Sequence, residues 1–150
     1  MKIIKCNKKY LDKLAAIVEE YKQFCGASPA LKETRDFFEK LIDNDESIIF
    51  IAIDESEDVL MGFVNLYPSY STIALKRLWI LNDLGVSKRF RGKGVAKALI
   101  DKVIVYAKET NAVRIELKTH KSNRNAQKLY KNIGFVVDTD HIYYKVPIKK

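Results

Sequence analysis

Cysteine is scarce in this chain: its 150 residues hold two, Cys6 and Cys25. Two thiols do not make a disulfide framework, and without a CxxC or Cys/His spacing they do not point to zinc. No metal is expected. Three prolines and six glycines leave no low-complexity tract and no linker, and no segment repeats. Long apolar runs are missing as well, since none approaches a membrane span. The opening MKIIKCNKKY is too charged for a signal peptide. A cytoplasmic protein with no membrane partner is the expectation. Acidic residues are outnumbered, 19 against 27 Lys and Arg, for a net charge of +8. That excess favours an acidic partner, whether nucleic acid, a membrane surface or a polyphosphate cofactor, and does not choose among them.

What is present is the material of one domain, residues 1–150, with 47% hydrophobic and 31% charged residues. Asn7 can cap a helix carrying Leu11, Leu14, Val18 and Tyr21 at spacings of three and four, and Gly26 ends it. Ser28-Pro29 opens a second helix with Phe38, Leu41 and Ile42 on one side. The period then changes. IIFIAI (48–53) and VLMGFVNLY (59–67) read as strands, and LKRLWILNDLGV (75–86) as a third that pairs with the second in a hairpin. From Gly92 the period is helical to about Thr110. VRIEL (113–117) alternates as a strand, and Asn123 caps a helix with Ala126, Leu129, Tyr130 and Ile133 on one stripe. Gly134 stops it, and FVVD and HIYYKV read as two final strands. The order β-α-α-β-β-β-α-β-α-β-β predicts an α+β domain around a mixed sheet.

The stretch RFRGKG, Arg89 to Gly94, stands between a strand and a helix. A helix start offers unpaired N–H groups and a positive dipole end. Gly92 and Gly94 remove the side chains that would hold a phosphate away, while Arg89, Arg91 and Lys93 add charge. A Walker A loop would need Ser or Thr after GK, where this chain has Gly94. A dinucleotide fingerprint would need a small residue at 97, where it has Lys97.

LNDLGVSKRFRGKGVAKALI followed by THKSNRNAQKLYKNIGF resembles the GNAT superfamily of acetyl-CoA-dependent N-acetyltransferases. The first stretch matches its pyrophosphate motif at Arg89, Gly92 and Gly94. The second matches its Asn-x-x-Ala…Leu-Tyr…Gly-Phe segment at Asn123, Ala126, Leu129, Tyr130, Gly134 and Phe135. The resemblance implies a GNAT-like, mainly antiparallel sheet flanked by about four helices, splayed between the strand ending at Val86 and Val113–Leu117. It implies acetyl-CoA as cosubstrate, bound by Leu84, Val86, Arg89, Arg91, Gly92, Lys93, Gly94, Val95, Ala96 and Asn123. The main chain of Leu84 and Val86 would pair with pantetheine, and the Val86 N–H would serve as oxyanion donor.

The same resemblance makes Tyr130 the general acid for the departing thiol, against the alternative of an ordinary core aromatic. Asn123 would touch the pantetheine arm or serve as a plain helix cap, or both. The general base is harder to place. Relatives often carry Glu where this chain has Asn82, and an amide cannot take a proton. Asp83 is the neighbouring carboxylate. Alternation sends it to the opposite face unless a bulge re-aims it, and a structural ion pair with Lys or Arg is its other reading. His120, just past the VRIEL strand, is a further candidate as base but has no visible partner. Acceptor walls fall at Tyr21, Phe24, Tyr67 and Tyr70, which could hold an ammonium by cation–π contact. A small primary amine is the expected acceptor, in the manner of the branch that acetylates polyamines and histone tails, with no nucleic acid and a homodimer possible. An aminoglycoside, amino acid or protein amine as acceptor, a nucleic-acid-binding module and a non-catalytic acetyl-CoA sensor are the competing readings.

Overall fold

The computed structural model describes residues 1–149. They divide into two compact units, Met1–Lys118 and a second from Thr119 onward. The first contains strand β1 (Lys2–Lys5), a 3₁₀ turn (Lys8–Tyr10), helices α1 (Leu11–Phe24) and α2 (Leu31–Asp43), and strands β2 (Ile48–Asp54), β3 (Val59–Ser71) and β4 (Lys76–Val86). A second 3₁₀ turn (Lys88–Phe90), helix α3 (Val95–Glu109) and strand β5 (Ile115–Glu116) complete it. The sheet runs β1-β2-β3-β4-β5. Its first three pairings are antiparallel and the last, β4 with β5, is parallel.

The run IIFIAI is apolar throughout because both faces of β2 are covered. Ile49, Ile51 and Ile53 join Leu11, Leu14 and Val18 of α1 and Phe38 of α2 in one core. Phe50, pointing the other way, meets Tyr106 of α3 edge-on at 5.4 Å. Gly62 lets α3 come close: a Cβ there would lie 3.0 Å from Val95 Cγ1 and 3.2 Å from Leu99 Cδ1.

Several boundaries differ from the sequence expectation. Asn7 caps the 3₁₀ turn ahead of α1, accepting from Lys9 N at 2.9 Å. Helix α2 starts at Leu31 rather than at Ser28-Pro29, because its cap comes from another helix. Glu19 of α1 accepts from Ala30 N at 2.9 Å and from Lys22 Nζ at 2.8 Å, and it also holds the Thr34 hydroxyl. Those hydrogen bonds, Lys22 first, lower the Glu19 carboxyl to about 2. Helix α3 begins three residues after Gly92, since Gly92 (φ +75°) and Gly94 (φ +78°) are left-handed and cannot lie inside a right-handed helix. The VRIEL strand shrinks to two paired residues, Ile115 on Trp79 and Glu116 on Ile80.

The second unit holds helix α4 (Arg124–Ile133), with Asn123 accepting from Ala126 N at 3.1 Å and Gly134 at φ +124° ending it. The two strands expected in FVVD and HIYYKV are not formed: nothing from Phe135 to residue 149 joins a ladder. The alternation is present in these residues. A strand also needs the main chain of a neighbour, and among the described residues none pairs with them.

Candidate active site

The end of β4 carries the geometry of interest. Its register with β3 shifts between Asn65 and Leu66: Asn65 faces Asp83 and Leu66 faces Leu81, so Asn82 has no opposite residue. Ser87 N donates to Met61 O at 2.9 Å, which makes Gly62 and Val86 a non-hydrogen-bonded pair. The main-chain N–H and C=O of Val86, and of Leu84 two residues back, therefore face away from β3. On that far side β5 pairs with Trp79 and Ile80, and among the described residues no strand pairs with Leu81–Val86 there, so that stretch keeps an open edge. Arg91 Nε donates to Val86 O at 3.2 Å.

Beyond the strand the chain is tied down from α1. Glu20 accepts from Lys88 N at 2.8 Å and from Ser87 Oγ at 3.1 Å, and Phe90 is buried. Arg89 is bound to Glu57 and lies 5.0 Å from the Phe90 ring, with Lys93 5.6 Å from the same ring. The start of α3 is bare. No side chain caps it, its first turn holds no acidic residue, and its first internal bond runs from Ala98 N to Gly94 O at 3.0 Å. The donors of Val95 and Ala96 lie ahead of that bond and have no acceptor within the helix. A Cβ built at Gly92 or Gly94 meets nothing within 4 Å, so open space lies over these donors. Two open glycines, an uncapped helix start and nearby basic residues fit a phosphate-bearing group.

On the α1 side, the bulge aims Asp83 inward. Its Oδ2 accepts from Asn65 Nδ2 at 2.8 Å and from Asn82 Nδ2 at 2.9 Å, and Ser47 donates to Asn65 Oδ1. No Lys or Arg pairs with Asp83 among the described residues, so the structural ion pair is not its role here. Burial first, and then the charge of Asp83, push the Tyr21 hydroxyl above its ordinary range. Tyr67 is raised too, by burial first, and it also senses Asn65 and Asp83. Tyr21, Tyr67 and Asp83 thus converge. Phe24 is exposed, with the Arg91 guanidinium 5.2 Å from its ring. Tyr70 does not join them. It pairs with Arg77 near the hairpin tip, its hydroxyl accepting from Arg77 Nη2 at 3.2 Å.

In the second unit, the Asn123 amide is occupied as the α4 cap. Tyr130 meets Phe135 edge-on at 5.6 Å, and burial raises its pKa. Its hydroxyl makes no hydrogen bond among the described residues. His120 Nδ1 lies 2.6 Å from Ser122 Oγ and accepts from Ser122 N, which closes a local turn. No cluster of three or more His, Cys, Asp or Glu suited to a metal occurs among the described residues.

Sequence reasoning missed Asn65, Ser47 and Glu20. A fully buried amide inside the apolar run VLMGFVNLY was a readable signal for Asn65. Glu20 gave none, because its partners lie 67 and 68 positions away.

Residues 12–135, spanning both the open β4 edge and α4, match the family model for the acetyltransferase (GNAT) family. The chain belongs to that family. Among its relatives is the uncharacterized N-acetyltransferase YhfO of Bacillus subtilis, 34% identical over 138 residues that cover 91% of each protein. The thialysine N-epsilon-acetyltransferase of Caenorhabditis elegans is 27% identical over 134 residues, 89% of this chain and 82% of the relative. A solved structure of a probable acetyltransferase superposes with a TM-score of 0.95 at 39% identity, covering 100% of this chain and 99% of the other. The GNAT fold here is the expected α+β arrangement, and the protein is an acetyltransferase. No helix among the described residues is long and apolar enough to cross a membrane.

Proposed function

We propose that residues 1–150 act as one cytoplasmic N-acetyltransferase domain that moves the acetyl group of acetyl-CoA to a small primary amine by direct attack in a ternary complex. One observation carries this reading: the open edge of β4 runs straight into the bare, glycine-bordered start of α3. The donors of Val95 and Ala96, with Gly92 and Gly94 giving clearance, would hold the pyrophosphate, and Arg91 and Lys93 add charge. Arg89 is engaged by Glu57 and contributes through the field of the loop. Leu84 and Val86 offer main-chain donors and acceptors to the pantetheine arm, and Asn123 is the candidate on α4. When bound, acetyl-CoA supplies an activated acyl group on a thiol leaving group.

The chain's own residues supply the rest. Val86 N–H, already fixed outward by its register, donates to the carbonyl oxygen as charge develops there. Asp83 takes the proton that the attacking ammonium must lose. The bulge turns this carboxylate toward Tyr21 and Tyr67, next to Asn82, whose amide cannot take a proton. Tyr130 would return a proton to the departing sulfur, its hydroxyl being protonated at neutral pH as in any tyrosine. The acceptor is argued from this wall: two aromatic rings and an unpaired carboxylate suit an alkylammonium. The thialysine-acetylating relative supports a lysine-like chain amine over an aminoglycoside or a nucleic acid.

The test is turnover, read as free thiol released, with spermidine, short diamines, lysine and thialysine beside an aminoglycoside. Activity is expected with the aliphatic amines. Acetyl-CoA binding without turnover on any amine would make the protein a sensor instead.

A further inference from the structure

Ser47, Asn65 and Asp83 form a polar line that runs from the start of β2 across β3 to β4. Ser47 stands just ahead of β2, Asn65 lies opposite Ile49 of β2, and Asp83 lies opposite Asn65 on β4. Alternation puts Asn65 on the face of Phe63 and Tyr67, its neighbours two residues to either side. Phe63 belongs to the core formed with α1. Ser47 is buried, and Asn65 has no exposed surface at all. A polar side chain in such a place costs stability unless its hydrogen bonds are made.

Here they are made in one sense only. A carboxylate offers acceptors alone, so the amide nitrogen of Asn65 has to face Asp83. The amide oxygen is thereby turned to Ser47, whose single hydroxyl hydrogen it receives, with Leu66 O farther off at 3.5 Å. The serine holds the amide that way round. Asn65 Nδ2 then donates to Asp83 Oδ2 at 2.8 Å, and Asn82 Nδ2 donates to the same oxygen at 2.9 Å. Neither amide bonds Oδ1. Asn82 is exposed, so water can stand in for it, whereas Asn65 is beyond the reach of water. The sheet itself does not need this network. Replacing both members of a buried hydrogen-bonded pair by apolar groups of similar shape can be nearly neutral for stability. Holding a carboxylate in one orientation is what a leucine at 65 could not do.

We propose that Ser47 and Asn65 are positioning residues for acetyl transfer: on the reading of Asp83 as base, they pin its Oδ2 and leave Oδ1 as the atom that takes the proton. That proton passes from the alkylammonium to Oδ1. The N–H electron pair stays on nitrogen as the lone pair that attacks the acetyl carbon, and the sulfur leaves with the C–S pair. Without the serine the amide loses its anchor, and the carboxylate is free to turn about its own axis. A misplacement of about 1 Å can cost about 10²-fold in rate.

The experiment is steady-state kinetics on the full chain, with acetyl-CoA and with spermidine, lysine and thialysine as probes, beside melting curves. Ser47→Ala is expected to lower kcat by about 10- to 10²-fold and to leave KM for both substrates within a few-fold. Ser47→Thr, which keeps the hydroxyl, should restore kcat to within a few-fold of the parent. In the Asp83→Asn background Ser47→Ala should cost nothing further, because the two act through one group. The paired variant Ser47→Ala/Asn65→Leu should lose kcat to the same extent and keep Tm within a few degrees of the parent. An unchanged kcat in Ser47→Ala, or an equal fall in the Asp83→Asn background, overturns the proposal and leaves Asp83 as base. If Ser47→Ala does not fold, the paired variant decides, and loss of the fold in both makes the network structural and overturns the proposal. An Asp83→Asn variant as active as the parent, or a parent that turns over none of the three amines, overturns the reading of Asp83 and this proposal with it.

Discussion

Among the described residues, Asp83 is a carboxylate without a cation. Its hydrogen bonds come from two amides, and Asn65, one of the two, has no exposed surface. A buried amide is kept only when its hydrogen bonds are made, and here Ser47 completes them. The carboxylate is therefore held in place but not neutralised, as a proton acceptor must be. Asp83→Asn keeps the shape and removes the basicity. It is expected to lower kcat by about 10²–10⁴, the range of general base catalysis, with Tm within a few degrees of the parent. Steady-state kinetics beside a melting curve checks this, and an unchanged kcat would return the base to a water relay. Tyr130→Phe keeps the ring against Phe135 and removes only the hydroxyl. The thiol is a tolerable leaving group even unaided, so the expected loss in kcat is smaller, about 10²–10³, with acetyl-CoA affinity changed only a few-fold. A normal kcat with a lowered Tm would make this tyrosine a core residue.

At the scale of elements, the turn into α3 depends on two left-handed residues with open space above them. Valine at either position costs backbone strain and fills the space a phosphate would need. Gly92→Val and Gly94→Val are each expected to weaken coenzyme A binding tenfold or more by calorimetry, since one charge-assisted hydrogen bond is worth about 1.5–3 kcal/mol. Equal affinity in both variants would remove the loop from the site. The join of α1 to α2 makes a different prediction, in pH. Glu19 has its carboxyl lowered from an ordinary 4.5 to about 2 in the folded chain, so the unfolded state binds the proton more tightly. Its stabilisation is complete above the ordinary value and drains away as pH falls from there to about 2. The Tm of the parent is expected to decline across that window. Glu19→Gln should start lower at neutral pH and lose less across the same range. Parallel curves would show that Lys22, Thr34 and Ala30 hold the helices together without help from the charge.

For the whole molecule the relevant quantity is the +8 net charge. Several of the 27 basic residues are locally paired, as in Lys13 with Asp58 and Arg35 with Asp12, and Arg89 is bound to Glu57, which leaves the excess of +8 unchanged. The remaining positive field should still favour a polyanionic cosubstrate and should be screened by salt. The Kd for acetyl-CoA is expected to rise several-fold between about 0.01 and 1 M ionic strength, and a flat response would leave binding to the helix start alone.

The order of helices and strands through α4, and the glycine-bordered basic turn, were determined by the sequence, because periodicity, capping and turn chemistry act between residues close in the chain. The open edge at Leu84 and Val86 was legible only through family resemblance. The physical cause is a register: the bulge at Asn82 and the bond from Ser87 to Met61 exist only when β3 lies beside β4. The same distance in sequence hid Glu20 at the loop and Glu19 as the cap of α2, since a side chain serving a remote backbone leaves no local pattern. Alternation over HIYYKV marked residues fit for a strand. Whether they become one depends on the main chain of a neighbour remote in sequence, and among the described residues none pairs with them.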